Sequence, residues 1–291
     1  MTINQEPKGT TYEEVLQWAS SFLKAEGQEE HGAEWLLKEQ MNWTTTQLLT
    51  SRKSEMPLSE WKKYKDGILK ASEGIPVQHI IGHEWFFGRK FKVTSDTLIP
   101  RPETEEWLNQ YLSRLPDKPL TVLDIGTGSG VLAITHKLER PNDRVIAVDI
   151  SPKALAVAEE NAARLKADVT FKTSDLAQSV REKVDVVVSN PPYISADEIE
   201  VMDASVINHE PHLALFAEEE GLEIYKRLAR ELTAVMKPEC WLILEYGYRQ
   251  KNQVESIFTE AFPQAHIEMW KDMSSNDRAL YLFKEEVTHE D

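Results

Sequence analysis

From Leu120 onward this chain alternates short apolar runs with amphipathic stretches, strand then helix, and few folds accommodate that order. Strands joined through helices run parallel, because each helix returns the chain to the same end of the sheet, and both faces become covered. The runs at 120–125, 144–149, 169–172, 184–189, 241–246, 265–269 and 279–283 read as strands. Helices are expected at 131–138, 152–165, 222–235 and 251–261. Little separates the last two strands, so they should close as a hairpin and leave the sheet mixed at that edge. The expected fold class is α/β, a Rossmann-like sheet of seven mostly parallel strands.

The N-terminal part follows a different rule. Residues 11–73 place Val15, Leu16, Trp18, Ala19, Phe22 and Leu23, then Ala33, Trp35, Leu36 and Leu37, at helical spacing. Thr10 or Thr11 is placed to cap the first helix. A polar break at 42–46 precedes a third helix from Ser59, which carries Trp61, Tyr64, Ile68 and Leu69 and ends at Gly74 and Pro76. Trp18, Trp35, Trp43 and Trp61 read as a tight helical core rather than as exposed contact residues. Residues 84–93 read as an aromatic-rich hairpin around Gly88. The expected domains are therefore a helical bundle over 1–75, a β-hairpin linker over 76–100 and an α/β domain over 101–291. The tail from Glu285 reads as frayed.

Composition removes several function classes. Cys240 is the only cysteine, so neither an internal disulfide nor a cysteine-rich metal site is available, and its apolar surroundings make it inert core. His209-Glu210-Pro211-His212 does not have the spacing of two ligands on one helix face, and a proline interrupts it, so it reads as a loop wrapping a pocket and no metal is expected. No apolar segment stands behind a basic one at the start, and no stretch approaches about 18 consecutive apolar residues. A soluble cytoplasmic protein with no membrane partner is expected.

The chemistry begins at Leu123-Asp124-Ile125-Gly126-Thr127-Gly128-Ser129-Gly130, where the first strand turns into a helix. Glycines there let backbone approach a ligand at the carboxyl end of the sheet. Asp149 closes the second strand and suits a carboxylate accepting from two ribose hydroxyls. Asp175, after the third strand, is placed to meet an adenine amino group. A dinucleotide fingerprint has its third glycine three positions after the second, whereas here it is two. The loop resembles the S-adenosylmethionine loop of class I methyltransferases, which implies that cofactor and S-adenosylhomocysteine as product. Gly126, Thr127, Gly128, Ser129, Gly130, Asp149 and Asp175 are the expected contacts.

The fourth strand ends in Ser189-Asn190-Pro191-Pro192-Tyr193. Two successive prolines remove two N–H donors and stiffen the chain, so the segment offers mainly acceptors beside an aromatic ring. A strand merely stopped by prolines is the alternative. In such a domain this run resembles that of amino-methyltransferases, which act on planar –NH2 groups of adenine or glutamine. Such a nitrogen is a poor nucleophile because its lone pair is delocalised. Accepting both its N–H bonds, through the Asn190 side-chain oxygen and the Pro191 carbonyl, favours a pyramidal nitrogen aimed at the methyl. Tyr193 is expected to wall the substrate plane. Asn190, Pro191 and Tyr193 are the expected catalytic residues.

The order of motifs narrows the choice. Gln78-His79-Ile80-Ile81-Gly82, Phe86-Phe87-Gly88, Leu98-Ile99-Pro100-Arg101-Pro102-Glu103-Thr104-Glu105, the glycine loop, Asn190 to Tyr193, and Glu210-Pro211 with Ala214-Leu215 resemble one family. It is the peptide-chain-release-factor glutamine N5-methyltransferases, the HemK-like class I methyltransferases. The resemblance covers roughly residues 76–250, and the N-terminal helices match in kind. It implies methylation of the glutamine in the Gly-Gly-Gln loop of release factors, with the helical domain gripping the factor. Carried over by position, Asn190 and Leu176 join the cofactor contacts, and Arg101, Asn190, Pro191, Pro192 and Tyr193 bind the substrate.

Three departures stand out. Residues 216–220 replace a glycine-rich turn, Pro238-Glu239-Cys240 replaces Pro-Gly-Gly, and Leu176 is aliphatic where the family often has an aromatic residue. The sister activity on a ribosomal-protein glutamine shares these motifs. An adenine-N6 nucleic-acid methyltransferase is the other alternative. Against it, residues 101–291 hold 35 acidic and 21 basic residues, a net of −14, while residues 1–100 hold 14 and 12. That balance is poorly suited to a phosphate backbone, so no stable nucleic-acid partner is expected.

Overall fold

Thr11 and Glu14 open the first helix as a reciprocal cap, each side chain accepting the other's backbone N–H. The computed structural model describes residues 11–286, so Thr10 and the tail from 287 lie outside the described residues. Helix α1 (Tyr12–Ala25) is followed by α2 (His31–Met41), which Asn42 ends in the left-handed region at φ 52°. Thr44 and Gln47 then form a second reciprocal cap, and α3 runs over Thr45–Ser51. The break expected at 42–46 is thus only a corner. Helix α3 escaped the apolar spacing because it buries a single side chain, Leu48.

Helix α4 (Leu58–Ser72) and the short α5 (Val77–Ile81) complete the unit, so the stretch expected as a hairpin linker begins as a helix too short to show a period. Leu36, Leu37, Tyr64 and Ile68 form its core. Trp18 stacks on Phe22 and meets Trp61 edge-on at 5.0 Å between centroids; Trp18, Trp43 and Trp61 pack partly buried against that core, whereas Trp35 is not among its members. Among the described residues this compact unit comprises 11–83 together with Asp203–His209, and the others form a second one.

The second unit starts with strands β1 (His83–Phe86) and β2 (Arg89–Lys92). Phe87 and Gly88 between them both have positive φ, the two-residue turn whose twist matches paired strands. There follow α6 (Pro102–Arg114, proline in its first turn), β3 (Thr121–Ile125), α7 (Val131–Glu139), β4 (Arg144–Asp149), α8 (Pro152–Leu165), β5 (Val169–Thr173) and β6 (Val184–Ser189). A 3-10 turn (Ala196–Val201), then α9 (Ala204–His209), which belongs to the first unit, and then α10 (His212–Leu215) and a kinked turn, α11 (Glu218–Gly221), lead to α12 (Glu223–Val235). Strand β7 (Met236–Glu245), α13 (Lys251–Ala261), β8 (His266–Lys271) and β9 (Asp277–Lys284) end the described chain.

The sheet order is β5-β4-β3-β6-β7-β9-β8, the first five strands parallel and β9 antiparallel to both its neighbours. The seven-stranded, mostly parallel α/β sheet and its terminal hairpin are therefore present. Leu123, Ile125, Ile146 and Val148 pack into one core while Val122, Val145 and Ala147 pack into another. Alternate residues of one strand serve opposite faces, which is why the runs read as continuously apolar. Strand β7 begins at Met236 rather than 241, because the β6–β7 register shifts between Val184 and Val186. Pro238 sits in that irregular stretch, where a missing N–H costs no ladder bond. No helix among the described residues is long and apolar enough to cross a membrane.

Candidate active site

The chain leaves β3 toward β4 on one side and reaches β6 on the other, and at such a reversal the carboxyl ends of the strands frame a crevice. A cavity of about 440 Å³ opens there. The N–H groups of Gly126 and Thr127 both donate to Val148 O, at 2.9 and 3.0 Å, which folds the glycine loop back over β4. Gly126, Thr127, Gly128 and Ser129 line the cavity. A Cβ added to Gly126 or Gly128 would meet nothing within 4 Å, so bare backbone faces open space. Gly130 stands behind them. Its φ is +85°, and a Cβ there would lie 2.7 Å from Ile134 Cδ1 and 3.3 Å from Ala158 Cα, so it serves the packing of α8.

Two carboxylates back this loop. Asp149 accepts from Gly128 N–H at 2.9 Å and Ser151 N–H at 2.8 Å, one bond to each oxygen, and keeps lone pairs for a ligand in the cavity it lines. Burial raises its pKa and those backbone bonds oppose the rise. Asp124 is fully buried. Its Oδ2 accepts from Thr127 Oγ1 at 2.6 Å and Ala133 N–H at 3.1 Å, while Oδ1 has no hydrogen-bond partner. Burial pushes its carboxyl up to about 7.

Asp175 and Leu176 line the same cavity from beyond β5. Leu176 sits at φ 47°, and the next N–H, of Ala177, donates to Glu231 Oε2 at 3.0 Å. Asp175 is paired with Arg227 Nη2 at 2.7 Å. Arg227, on α12, also lines the cavity and carried no sequence signal, since one arginine on an amphipathic helix reads as surface. A carboxylate bonded to backbone, glycines that open onto free space and an aliphatic platform suit a nucleoside with hydroxyls to donate. The residues present therefore fit S-adenosylmethionine.

The other side of the cavity is made of side chains. Asn190 and Pro192 line it, Pro191 is buried, and Tyr193 turns its hydroxyl to Glu245 Oε1 at 3.3 Å rather than lining the space. The backbone of this segment is held from behind. Ser189 Oγ donates to Ile125 O at 2.7 Å, and Gln250 Nε2 donates to Tyr193 O at 2.9 Å and Glu220 O at 3.1 Å. A Cβ on Gly221 would fall 2.1 Å from Tyr193 O, so only glycine lets the following turn approach. Arg101, also lining the cavity, is pinned by Glu210 Oε1 at 2.6 Å, and the other oxygen of Glu210 accepts from Ile99 N–H at 2.9 Å. Glu210 thus holds the chain on both sides of Pro100.

Glu245 ties the site together. It is 2% exposed and accepts from Thr104 Oγ1 at 2.6 Å and Trp107 Nε1 at 2.9 Å, both at Oε2, besides Tyr193. Burial raises its pKa, opposed by the bonds from Thr104 and Trp107 and by the charge of Arg278. Thr104 is in turn 3.5 Å from Asn190 Nδ2. Sequence reading missed the roles of Thr104, Glu245 and Gln250. The available signal was a carboxylate closing the apolar run 241–244, where a charge needs partners.

Two family descriptions match this chain: PrmC N-terminal domain over residues 14–82 and Methyltransferase small domain over residues 108–214. A release factor glutamine methyltransferase of Enterococcus faecalis is 44% identical over 268 residues, covering 92% of this chain and 97% of that protein. The chain belongs to the release factor glutamine methyltransferase family. A Bacillus subtilis protein of the same name is 41% identical over 275 residues, covering 92% of this chain and 96% of that one. A methyltransferase from Pyrococcus furiosus shares the fold, with a TM-score of 0.53 at 17% identity over 69% of this chain and 91% of that chain. The 216–220 turn is strained in its backbone. Glu219 and Glu220 adopt φ of 52° and 58°, which glycine takes without strain.

Proposed function

We propose that this protein transfers a methyl group from S-adenosylmethionine to the side-chain amide nitrogen, N5, of the glutamine in the Gly-Gly-Gln loop of a peptide chain release factor, in the cytoplasm. The observation that carries the reading is the placement of Asn190 on the wall of the cavity that Gly126, Gly128 and Asp149 also line. S-adenosylmethionine, when bound, supplies a methyl group made electrophilic by its sulfonium.

Gly126 to Ser129 give backbone contact to the cofactor, with Gly130 allowing the loop its shape. Asp149 accepts from ribose hydroxyls, Asp175 from the adenine amino group, and Leu176 packs on the base. Asn190 Oδ1 and the Pro191 carbonyl accept the two N–H bonds of the glutamine amide. That draws its lone pair out of conjugation and along the line to the methyl. Pro192 bounds the amide plane, Tyr193 supports the segment, and Arg101 borders the substrate entry. The nitrogen's proton becomes acidic only once the new N–C bond has formed, so it leaves to solvent without a strong base. The helical domain, residues 1–75, is the grip for the factor, and neither stable nucleic-acid binding nor a metal is part of the reading.

The test incubates the protein with methyl-labelled S-adenosylmethionine and, separately, a release factor, ribosomal proteins and an adenine oligonucleotide, then maps the methyl by peptide mass. Label on the Gly-Gly-Gln glutamine is expected. Label on adenine, or on ribosomal protein alone, would overturn the assignment.

A further inference from the structure

Among the buried groups that the proposed chemistry leaves unused, Glu245 is the one linked to Asn190, through Thr104. Three donors, Thr104, Trp107 and Tyr193, meet the two oxygens of Glu245, and a carboxylate so surrounded only accepts. The single hydroxyl proton of Thr104 therefore goes to Glu245 Oε2, and their 2.6 Å separation is that of a charge-assisted O–H···O⁻ bond. With its proton committed, the Thr104 oxygen has only lone pairs to offer Asn190. The contact at 3.5 Å must then come from the Asn190 –NH2, which leaves the amide oxygen as the group free to accept from a substrate. With the amide reversed, Asn190 would set a donor against the donors of the substrate nitrogen, and neither could bond.

We infer that Glu245 and Thr104 are positioning residues that set which way round the Asn190 amide stands, through the relay Glu245 carboxylate, Thr104 hydroxyl, Asn190 amide. Thr104 is 2% exposed in the first turn of α6, directly after the Arg101-Pro102-Glu103 corner, and Glu245 ends β7. Trp107, one helical turn further along α6, donates to the same oxygen of Glu245 at 2.9 Å and locks the carboxylate in place. Tyr193 donates to the other oxygen, so one buried charge orients both ends of Asn190-Pro191-Pro192-Tyr193. The corner at 101–105 thereby gains a function beyond bordering the cavity: it delivers a hydroxyl of fixed polarity to the amide that meets the substrate.

This inference rests on the reading of Asn190 as the acceptor for a substrate amide. Thr104→Val keeps the shape of the side chain and removes the relay, whereas Thr104→Ser keeps the hydroxyl and removes a methyl. Turnover on a release factor and the dissociation constant of S-adenosylmethionine by calorimetry are measured for both, and for Glu245→Gln, which can present a donor to Thr104. With Thr104→Val, kcat should fall about 10- to 100-fold while cofactor affinity stays within about twofold, as expected when an interaction acts on the reacting geometry alone. Thr104→Ser should restore most of the rate, and Glu245→Gln should resemble Thr104→Val. Wild-type turnover in Thr104→Val, no rescue by serine, or a loss confined to cofactor affinity would each overturn the relay and leave the enzyme's function standing. If Thr104→Val does not fold, the same two measurements on Glu245→Gln decide, wild-type kcat refuting the relay. A wild-type protein that binds cofactor but labels no glutamine would remove the function and the relay with it.

Discussion

The two walls of the cavity are built from different material. On the side proposed for the cofactor, a glycine loop of consecutive residues and one carboxylate, Asp149, do most of the shaping, and their hydrogen bonds run to backbone at neighbouring strand ends. On the Asn190 side, the backbone is stiff but its orientation depends on Thr104, Glu245, Gln250 and Gly221, brought from four separate segments. The first wall is a local device, made at the adjoining ends of β3 and β4. The second exists only once α6, β7 and the 216–221 turn have docked. Damage to the first should therefore appear as lost cofactor affinity, and damage to the second as lost turnover or lost stability.

Asn190→Ala makes the sharpest break between them. Turnover on the release factor should fall on the order of 10²–10³-fold, the usual cost of removing one aligned hydrogen-bond partner from a reacting centre. Calorimetry should show cofactor affinity, to which Asn190 also contributes as one contact, falling far less than turnover, and substantial turnover would refute the amide clamp. Gly221→Ala attacks the same wall from behind. Its Cβ would stand 2.1 Å from Tyr193 O and 2.5 Å from Gln250 Nε2 at a φ of +80°. Overpacking and a left-handed alanine together should cost about 2–4 kcal/mol in urea unfolding. A loss below about 1 kcal/mol would mean that the turn moves freely away.

The cofactor side makes a pH-dependent prediction. The Asp124 carboxyl stands at about 7 when folded, against an ordinary value of 3.8, because burial disfavours its charge. The folded state then holds more protons between those values. The stability Asp124 contributes is present below about 4 and is lost as pH rises through about 7. Comparing unfolding of the protein and of Asp124→Asn across pH 4 to 8 isolates this slope, since the other shifted carboxylates are common to both. A constant difference across that range would refute it.

Asp149→Asn should weaken cofactor binding roughly tenfold, the scale of one hydrogen bond to a charged group, and leave kcat at saturating cofactor within about twofold. A kcat effect as large as that of Asn190→Ala would erase the distinction between the walls. The smallest expected effect has the opposite sign. Glu219→Gly and Glu220→Gly each relieve a left-handed residue and should stabilise by about 1 kcal/mol. Glu219 also pairs with Lys226 at 2.6 Å, but that contact is exposed and weighs little against the strain. A rise in urea midpoint at unchanged slope is the readout.

Much of this molecule was legible before its structure. The parallel strands and the terminal hairpin follow from alternation, though their order in the sheet does not, and the glycine loop, Asp149 and Asn190 were read from their places at strand ends. All of these are short-range patterns, fixed by the period of a strand or the geometry of one turn. Helix α3, which buries one residue, and α5, five residues long, left no such pattern. Nor did the pairs that finish the site. Thr104 meets Glu245 across 141 positions, Arg101 meets Glu210 across 109, Asn190 meets Thr104 across 86, and Gln250 reaches Tyr193 across 57. A hydrogen bond between distant side chains imposes no period on the sequence. It is decided when packing of apolar faces brings the segments together and leaves their buried polar atoms no other partners. The sequence by itself determined a cavity for a methyl donor with an amide at its edge. Only the tertiary structure decided which buried groups stand behind that amide.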